Sequence, residues 1–361
     1  MKLGILSMQR VVNFGSILQA YSLRELLREE SGGYVEFLDI DENTALPVEN
    51  TVQDSIDYRI PADYPPGILQ KGKRWLIARC SAYNKFLIRS FMHKELKLSS
   101  HNSENQYDLV VVGSDEVFNH TRGICLQLHG QIPQAKKVIS YAASCGSALA
   151  EDIALEHEEA VRDAMSNFSA ISVRDIATED YVKTVCGRQV DHHLDPVLVG
   201  NLYARKCRPV RRKKYMLIYA YSHRIRTDEE IHTIQALAKA RGLKTVAVGA
   251  SQFWCDYYVP LTPFRLMDYF NSAEMVVTDT FHGTIFSVIH HTEFAVIARP
   301  TNYRKIASLL NDLGLEDRSV QDIHKLEKIF ADKIDYEKVE EILQRERKRT
   351  REYLREQLRG L

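Results

Sequence analysis

Short apolar runs alternate along most of the chain with longer segments in which apolar residues recur at helical spacing. Continuous apolar runs rich in β-branched residues are typical of strands that are buried on both faces of a parallel sheet. In the first half they predict strands at 2–6, 35–39, 108–113, 138–142 and 170–173. The intervening segments predict helices at about 16–30, 68–94 and 153–168 and another from Asp175, with 42–67 as a proline-rich irregular connection.

The second half repeats this alternation after an interruption at Pro209 and a run of Arg and Lys, which we interpret as a solvated linker. Strands are predicted at 215–220, 244–248, 273–278 and 293–297, and helices at 228–241, from Thr262 and Pro263, after His282, and at 304–313. Strands alternating with helices in two halves predict an α/β fold of two doubly wound, Rossmann-like domains that face a cleft. We place these domains at 1–205 and 206–330, followed by a long C-terminal helix within 331–361.

This last helix, predicted over 335–358, begins with acidic residues and becomes basic from its middle on, as the helix dipole favours. Its apolar stripe is thin, so we expect it to lie along the outside of the protein. A role in binding a partner or a membrane surface is the alternative.

The composition excludes several classes of protein. Lys and Arg together number 48, as do Asp and Glu, so no global field argues for binding to nucleic acid or to anionic lipid. The six cysteines include no C-x-x-C pair, which argues against a zinc site and a secreted disulfide framework and suits a reducing cytoplasm. No segment approaches the roughly 20 apolar residues of a membrane span, and the apolar N-terminal stretch is too short for a signal peptide. We expect a cytoplasmic protein with no metal and at most peripheral membrane contact.

Two turns of the first half carry polar residues at the place where open α/β sheets hold their ligands. Asn13 and Gly15 precede a predicted helix, whose N-terminus offers N–H groups to an anion; the alternative is a simple N-cap by Ser16. Ser114, Asp115 and Asn119 follow the most apolar strand. They suit hydrogen bonding to a polyol, or equally a turn in which Asp115 caps its own backbone.

The third candidate is Arg174, which lies at a predicted strand end beside the N-cap candidate Asp175. An arginine in that position is a natural clamp for a carboxylate or phosphate, and pairing with Asp175 is the alternative.

The fourth candidate is His282, in the turn between the strand 273–278 and the following helix. Asp279, Thr280 and Thr284 lie beside it in sequence and are polar groups able to fix its tautomer. Histidine is the side chain best suited to proton transfer near neutral pH, although a lone histidine is usually structural.

Seven stretches together resemble one known family, the polysaccharide pyruvyl transferases. They are N-F-G-S-I-L-Q-A-Y-S-L (13–23), V-V-G-S-D-E-V-F-N (111–119), Y-A-A-S-C-G (141–146), I-S-V-R-D (171–175), L-D-P-V-L (194–198), T-D-T-F-H-G-T-I-F-S (278–287) and S-L-L-N-D-L-G-L-E-D-R (308–318). The resemblance implies a GT-B-like two-domain fold and transfer of pyruvate from phosphoenolpyruvate onto a sugar hydroxyl pair in surface polysaccharide assembly. The partners it implies are phosphoenolpyruvate and a nucleotide- or lipid-linked sugar, with no further cofactor.

On this resemblance His282 transfers protons and Arg174 binds the donor anion, while Asp115 and Asn13 position sugar or donor. Further basic candidates for an anion pocket are Arg304, Lys305 and Arg318.

The chain departs from the family pattern at two turns. Several members carry an arginine two residues before the histidine, where this chain has Thr280, so Arg304 or Lys305 is expected to supply that charge. Glu116 and Phe118 stand where members often have Gln and Trp, which favours acceptor contact over donor contact at that turn. The alternatives are a glycosyltransferase that uses a nucleotide sugar, and a non-catalytic member that binds a glycan or a partner through its C-terminal helix.

Overall fold

The computed structural model describes residues 1–41, 44–46, 68–98, 105–121, 123–211, 214–222 and 224–361. These residues form two compact units. The first unit contains the described residues up to 46, residues 92–204 and residues 340–361. The second contains 68–91 and the described residues of 205–339.

The first unit is built on a parallel sheet. Its strands are β1 (Lys2–Leu6), β2 (Tyr34–Phe37), β4 (Leu109–Asp115), β6 (Val138–Ala143), β7 (Phe168–Ala170), β8 (Ser172–Val173) and β9 (Asp191–His192), while β3 (Ala45–Leu46) and β5 (Ile124–Cys125) form a separate antiparallel pair. The sheet order is β2-β1-β4-β6-β8-β9, with β7 also paired to β6. Successive strands are therefore added on one side of β1 and then on the other, which makes the unit doubly wound. The order reverses between β1 and β4.

The second unit has a five-stranded parallel sheet in the order β12-β11-β10-β13-β14. Its strands are β10 (Tyr215–Tyr219), β11 (Lys244–Val248), β12 (Tyr257–Val259), β13 (Met275–Thr278) and β14 (Phe294–Val296). The order of addition reverses here between β10 and β13. The expected fold class, α/β with two doubly wound Rossmann-like units, is confirmed.

Helices connect these strands, and local capping explains where several of them begin. They are α1 (Phe14–Ser31), α2 (Ile68–Phe91), α3 (Leu155–Ser166), α4 (Ile176–Cys186), α5 (Pro196–Val199), α6 (Asp228–Ala240), α7 (Pro263–Asn271), α8 (Phe281–Ile289), α9 (Tyr303–Leu313), α10 (Leu326–Ala331) and α11 (Tyr336–Leu358). Asp175 caps α4, and Thr262 caps α7 with Pro263 in its first turn, as the sequence predicts. In the described part of the chain, no helix combines the length and apolarity required to cross a membrane.

The division into units differs from the predicted domains in two places. The helix α2 belongs with the second unit, because its buried Asn84 binds the carbonyl of Gly249 and the N–H of Leu261. The prediction for 42–67 lies outside the described residues, apart from 44–46.

The second difference is α11, which from Glu340 on is part of the first unit and not a separate element. One face of the helix is buried there: Leu354 has no exposed surface, and the hydroxyl of Tyr353 donates to the carbonyl of Ser140 at 2.9 Å. Arg351 forms ion pairs with Glu29 and Glu30 of α1. The helix lies along the outside of the first unit, with its thin apolar stripe buried and most of its charged side chains on the exposed face.

The packing of α11 predicts that Leu354→Ala lowers the free energy of unfolding of the first unit by about 2–5 kcal/mol, since it leaves a cavity in a fully buried site. Urea titration followed by circular dichroism measures the change. Leu155→Ala is the matched control, because Leu155 is 86% exposed on α3 and its replacement removes no buried contact. Equal stability of the two variants would contradict the packing of α11 described above.

Candidate functional site

In the first unit, the polar turns expected from the sequence come together where the strand order reverses. Asn13 caps α1 and Gly15 lies in its first turn, while Ser114 and Asp115 end β4, which pairs directly with β1. Ligands of open α/β sheets bind at the carboxyl ends of the strands at such a reversal. Within β4, Gly113 pairs with Tyr141 of β6 and has φ 132°; a Cβ atom there would lie 2.2 Å from the carbonyl oxygen of Tyr141.

Asp115 is the centre of this turn. Its carboxylate accepts hydrogen bonds from Ser16 Oγ at 2.6 Å and from Arg174 Nη2 at 3.2 Å. Its backbone has φ 73°, in the left-handed region that aspartate tolerates better than most residues. The cap of α1 is Asn13, whose side chain accepts from the N–H of Gly15 at 2.8 Å, so the alternative N-cap by Ser16 is wrong.

Arg174 is buried between two carboxylates, with 1% of its side chain exposed. Besides Asp115 it binds Asp195, with Nη1 2.8 Å from Oδ2. Burial alone would lower the pKa of this guanidinium, but the aspartates outweigh burial and raise the pKa. The carboxylate of Asp175, the alternative partner considered from the sequence, caps α4 and accepts a hydrogen bond from Ser144. In this arrangement Arg174 orients Asp115, and its role in binding the donor anion stays a prediction.

The rest of the turn after β4 is held by local hydrogen bonds. Asn119 Nδ2 donates to Glu116 at 2.8 Å, and Asn119 Oδ1 accepts from the N–H of Thr121 at 3.1 Å. Ser114 Oγ donates to the carbonyl of Ala142 at 3.0 Å. These contacts give Asn119 and Ser114 structural tasks, and their part in binding a sugar stays a prediction.

In the second unit, His282 lies at the corresponding reversal, between β10 and β13. It occupies the first turn of α8 and is half-buried between the rings of Phe281 and Phe286, at centroid distances of 5.4 and 5.9 Å. Thr280 caps the helix by accepting from the N–H of Gly283 at 2.9 Å, and Thr284 Oγ1 donates to the carbonyl of Thr280 at 3.2 Å.

The tight start of α8 depends on glycine at position 283. A Cβ atom there would lie 2.1 Å from Thr278 Oγ1, which itself donates to the carbonyl of Tyr219 at 2.6 Å. The two threonines and the glycine thus fix the backbone that carries His282.

Asp279 is fully buried and joins three segments at the carboxyl edge of the sheet. Its Oδ1 accepts from the N–H of Tyr221 at 3.1 Å, and its carbonyl accepts from Asn302 Nδ2 at 2.7 Å. Its Oδ2 lies 3.9 Å from Arg224 Nε. Burial raises the pKa of Asp279 to about 7, although Arg224 and the Tyr221 N–H act in the opposite direction. The carboxyl group therefore changes its protonation state near neutral pH.

Two arginines that the sequence reasoning missed surround this position. Arg224 lies with its guanidinium 4.4 Å from the ring centroid of Tyr221 and donates to Thr301 Oγ1 at 3.2 Å. Arg299 donates to the carbonyl of Arg224 at 3.0 Å and pairs with Glu230 at 2.7 Å. Arg224 follows the inner strand β10, and Arg299 follows β14, the edge strand beside β13. Their position in the sequence, shortly after predicted strands, could have identified them, because residues that follow parallel strands lie at the same edge of the sheet.

The three other basic candidates are placed differently. Lys305 lies at the start of α9, with its Nζ 5.9 Å from the ring centroid of Phe281, and the neighbouring Arg304 is exposed. Arg318 is 1% exposed and donates to the carbonyls of Ile329 and Asp332, each at 2.8 Å, at the end of α10. The structure therefore brings Lys305 beside the turn of His282, whereas Arg318 serves a different network.

Two further features concern ligands of other kinds. Among the described residues, no group of three or more His, Cys, Asp or Glu is arranged to hold a metal ion. A cavity of about 370 Å³ in the second unit is lined by Arg208, Pro209, Arg211 and Arg265, none of which belongs to the turn of His282.

The chain has distant similarity to solved structures. It matches UDP-GlcNAc 2-epimerase from Methanocaldococcus jannaschii at 10% identity, with 95% of this chain and 99% of that chain covered and a TM-score of 0.47. It matches a glycosyltransferase from Streptomyces sp. SF2575, complexed with thymidine diphosphate, at 13% identity with 98% of each chain covered and a TM-score of 0.46. At these scores neither match bears on function.

Comparison with protein families is more informative than comparison with single proteins. No curated protein matches the chain with significance. The family model described as "Polysaccharide pyruvyl transferase" matches residues 13–300, which include both polar turns described above. The chain belongs to the polysaccharide pyruvyl transferase family.

Proposed function

We propose that the protein transfers a pyruvyl group from phosphoenolpyruvate onto two hydroxyls of a sugar, forming a cyclic ketal and releasing phosphate. Family membership supports a transferase of polysaccharide pyruvylation. The observation that carries the choice of donor is the set of cations, Arg224, Arg299 and Lys305, around the first turn of α8 that holds His282.

Phosphoenolpyruvate has a carboxylate and a phosphate on one three-carbon unit, so its site needs several cationic donors. Arginine suits both groups because its planar guanidinium forms two parallel hydrogen bonds to either. The N-terminus of α8 adds a favourable dipole for an anion. Arg224 is the residue best placed to supply the charge that several family members carry two positions before the histidine, where this chain has Thr280.

The chemistry requires one group that can give and then take a proton. In the proposed reaction His282 protonates the methylene carbon of the enol, which leaves a cationic centre at the carbon that bears the phosphate. A sugar hydroxyl adds to that carbon and loses its proton. Phosphate then leaves with its bonding electrons, and the second hydroxyl adds and loses its proton to close the ketal. One of the two released protons restores His282, and the other leaves with phosphate.

Asp279 acts in this proposal as a positioning residue and not as a catalytic one, because it is fully buried. It holds Tyr221 and Arg224 of one loop against Asn302 of another. In the first unit, the Ser114–Asp115 turn is proposed to contact the sugar acceptor, with Arg174 fixing the orientation of Asp115.

His282→Asn is expected to lower acceptor-dependent phosphate release from phosphoenolpyruvate by about 10²–10⁴-fold, the usual cost of removing a general acid–base group. A coupled phosphate assay measures this rate. His232→Asn, at an exposed position on α6 of the same unit, is the control and should retain full turnover. Unchanged turnover in a folded His282→Asn protein would disprove the assignment.

Arg224→Gln is expected to raise KM for phosphoenolpyruvate by about 10- to 100-fold, because a hydrogen bond to a charged group is worth roughly 1.5–3 kcal/mol. Initial rates at varied donor concentration measure KM. Arg226→Gln removes an exposed arginine two residues away and should leave KM unchanged. If both variants gave the same KM as the parent protein, the donor anion would not bind at Arg224.

Asp279 should also leave a signature in stability against pH. Its pKa is about 7 in the folded protein and 3.8 for an unperturbed aspartate, so the unfolded chain releases this proton first as pH rises. The carboxyl group therefore stabilises the fold at low pH, and this contribution falls between about pH 4 and 7 by roughly 1.4 kcal/mol per pH unit. The measurement is the difference in unfolding free energy between the parent protein and Asp279→Asn across that range.

The matched control for this measurement is Asp256→Asn. Burial opposes ionisation of Asp256, but hydrogen bonds from Thr245 and Lys244 outweigh it and lower its pKa. Its contribution is therefore lost only as pH falls below about 4, and the difference for Asp256→Asn is expected to be constant between about pH 4 and 7. If the difference in unfolding free energy between the parent protein and Asp279→Asn did not change with pH, that result would contradict the raised pKa of Asp279.

A further inference from the structure

The helix α2 has two faces of different character. One face is buried against the second unit through Ile77, Asn84, Ile88 and Phe91, with exposures between 3% and 7%. Phe91 packs edge-on against Phe264, with ring centroids 4.8 Å apart. These contacts hold one face of the helix against the unit and leave its other side turned away from the core.

The other face carries large apolar side chains in water. Trp75, Leu76, Tyr83 and Phe86 are 61%, 55%, 53% and 62% exposed. Trp75, Tyr83 and Phe86 lie with Arg79 along one stripe, because their spacing of four, four and three residues follows the helical repeat. Contiguous exposed apolar side chains of this kind mark a binding surface.

The charge of α2 indicates what binds there. Its sequence ILQKGKRWLIARCSAYNKFLIRSF has six basic residues and no acidic residue, although the chain as a whole has 48 of each sign. Arg79 and Arg89 are exposed, and the guanidinium of Arg79 lies 4.7 Å from the ring centroid of Trp75. Exposed aromatic residues on a helix with basic residues only are typical of helices that lie in the plane of an anionic membrane surface.

We propose that α2 docks the protein on a lipid bilayer that carries anionic headgroups. Trp75, Leu76, Tyr83 and Phe86 enter the boundary between headgroups and acyl chains, while Arg79 and Arg89 contact lipid phosphates. An acidic protein would satisfy the bases, but a set of four large apolar side chains favours lipid. This inference is independent of the identity of the donor. It places the enzyme at a membrane, where a sugar acceptor carried on a lipid is within reach.

The first test uses the tryptophans of the chain, which are only Trp75 and Trp254. In the Trp254→Phe variant Trp75 is the single remaining tryptophan, so the fluorescence emission reports on the surroundings of Trp75. Mixed phosphatidylglycerol and phosphatidylcholine vesicles should shift its emission to the blue, and lipids brominated on their acyl chains should quench it. Pure phosphatidylcholine should have little effect. Salt should weaken the response, because the Debye length falls from about 8 Å at physiological ionic strength to about 3 Å at 1 M.

The second test separates the apolar and ionic parts by vesicle flotation. Arg79→Gln combined with Arg89→Gln should weaken binding about 25-fold, since each base near an anionic surface contributes about fivefold. Trp75→Ser combined with Phe86→Ser should weaken it at least about tenfold through lost apolar burial. The matched controls are Tyr34→Ser and Arg241→Gln, and both should bind as the parent protein does. Tyr34 is a 60% exposed tyrosine outside α2, and Arg241 is an exposed arginine at the C-terminal end of α6.

Absence of acyl-chain quenching of Trp75 would overturn the proposal, and so would full binding by either double variant. If soluble polyglutamate displaced the protein from vesicles and the apolar variant bound as tightly as the parent, the face would be a site for an acidic protein instead. Because Trp75, Arg79, Phe86 and Arg89 are exposed, thermal melting of the two double variants is expected to be unchanged. Should a double variant melt early, the quenching result with Trp254→Phe decides by itself.

Discussion

Asp115 and Asp279 are buried carboxyl groups at the ends of inner strands, and the arrangement of each candidate site follows from the way that burial is stabilised. A carboxylate without partners is costly in a protein interior, so the surrounding chain must supply donors and cations. Asp115 accepts hydrogen bonds from Ser16 Oγ and from the guanidinium of Arg174. Asp279 accepts a hydrogen bond from the Tyr221 N–H and lies near Arg224, but burial still raises its pKa to about 7. In both units the carboxyl group thereby ties together loops that are distant in sequence.

The two aspartates differ in what their surroundings leave available for chemistry. In the first unit the guanidinium of Arg174 is almost fully buried between Asp115 and Asp195, so its charge is already paired. In the second unit Arg224 contacts Asp279 and Lys305 lies over the ring of Phe281, in the turn that carries the half-buried His282 at a helix N-terminus. Cations, a helix dipole and a titratable side chain together suit a small dianion that must be protonated. This contrast underlies the proposal that the donor binds at the turn of His282 in the second unit.

The helix α2 adds a second kind of recognition to the same unit. Its buried face holds it through Asn84, while its exposed face combines Trp75, Tyr83 and Phe86 with basic residues. A surface of this composition gains free energy from two sources, apolar burial and attraction to anionic headgroups, and needs no shape complementarity. The helix therefore suits attachment to a surface, in contrast to the specific polar contacts around His282.

Most strands and helices, the class of fold and the positions of Asp115 and His282 near strand ends were predictable from the sequence, because hydrophobic period and capping residues act over a few neighbours. The short strands β9 and β12 and the short helices α5 and α10 were not predicted. Tertiary structure alone decided which partners the polar residues took. The carboxylates that bury Arg174 lie 59 and 21 residues away, and Arg224 meets Asp279 across 55 residues. Arg318 was predicted at the anion site and instead binds carbonyls at the end of α10. Likewise, the unit against which α11 and α2 each bury their apolar face was decided by tertiary contacts. The physical reason is that strands adjacent in a parallel sheet bring their following loops together whatever their separation along the chain, and no local pattern records that meeting.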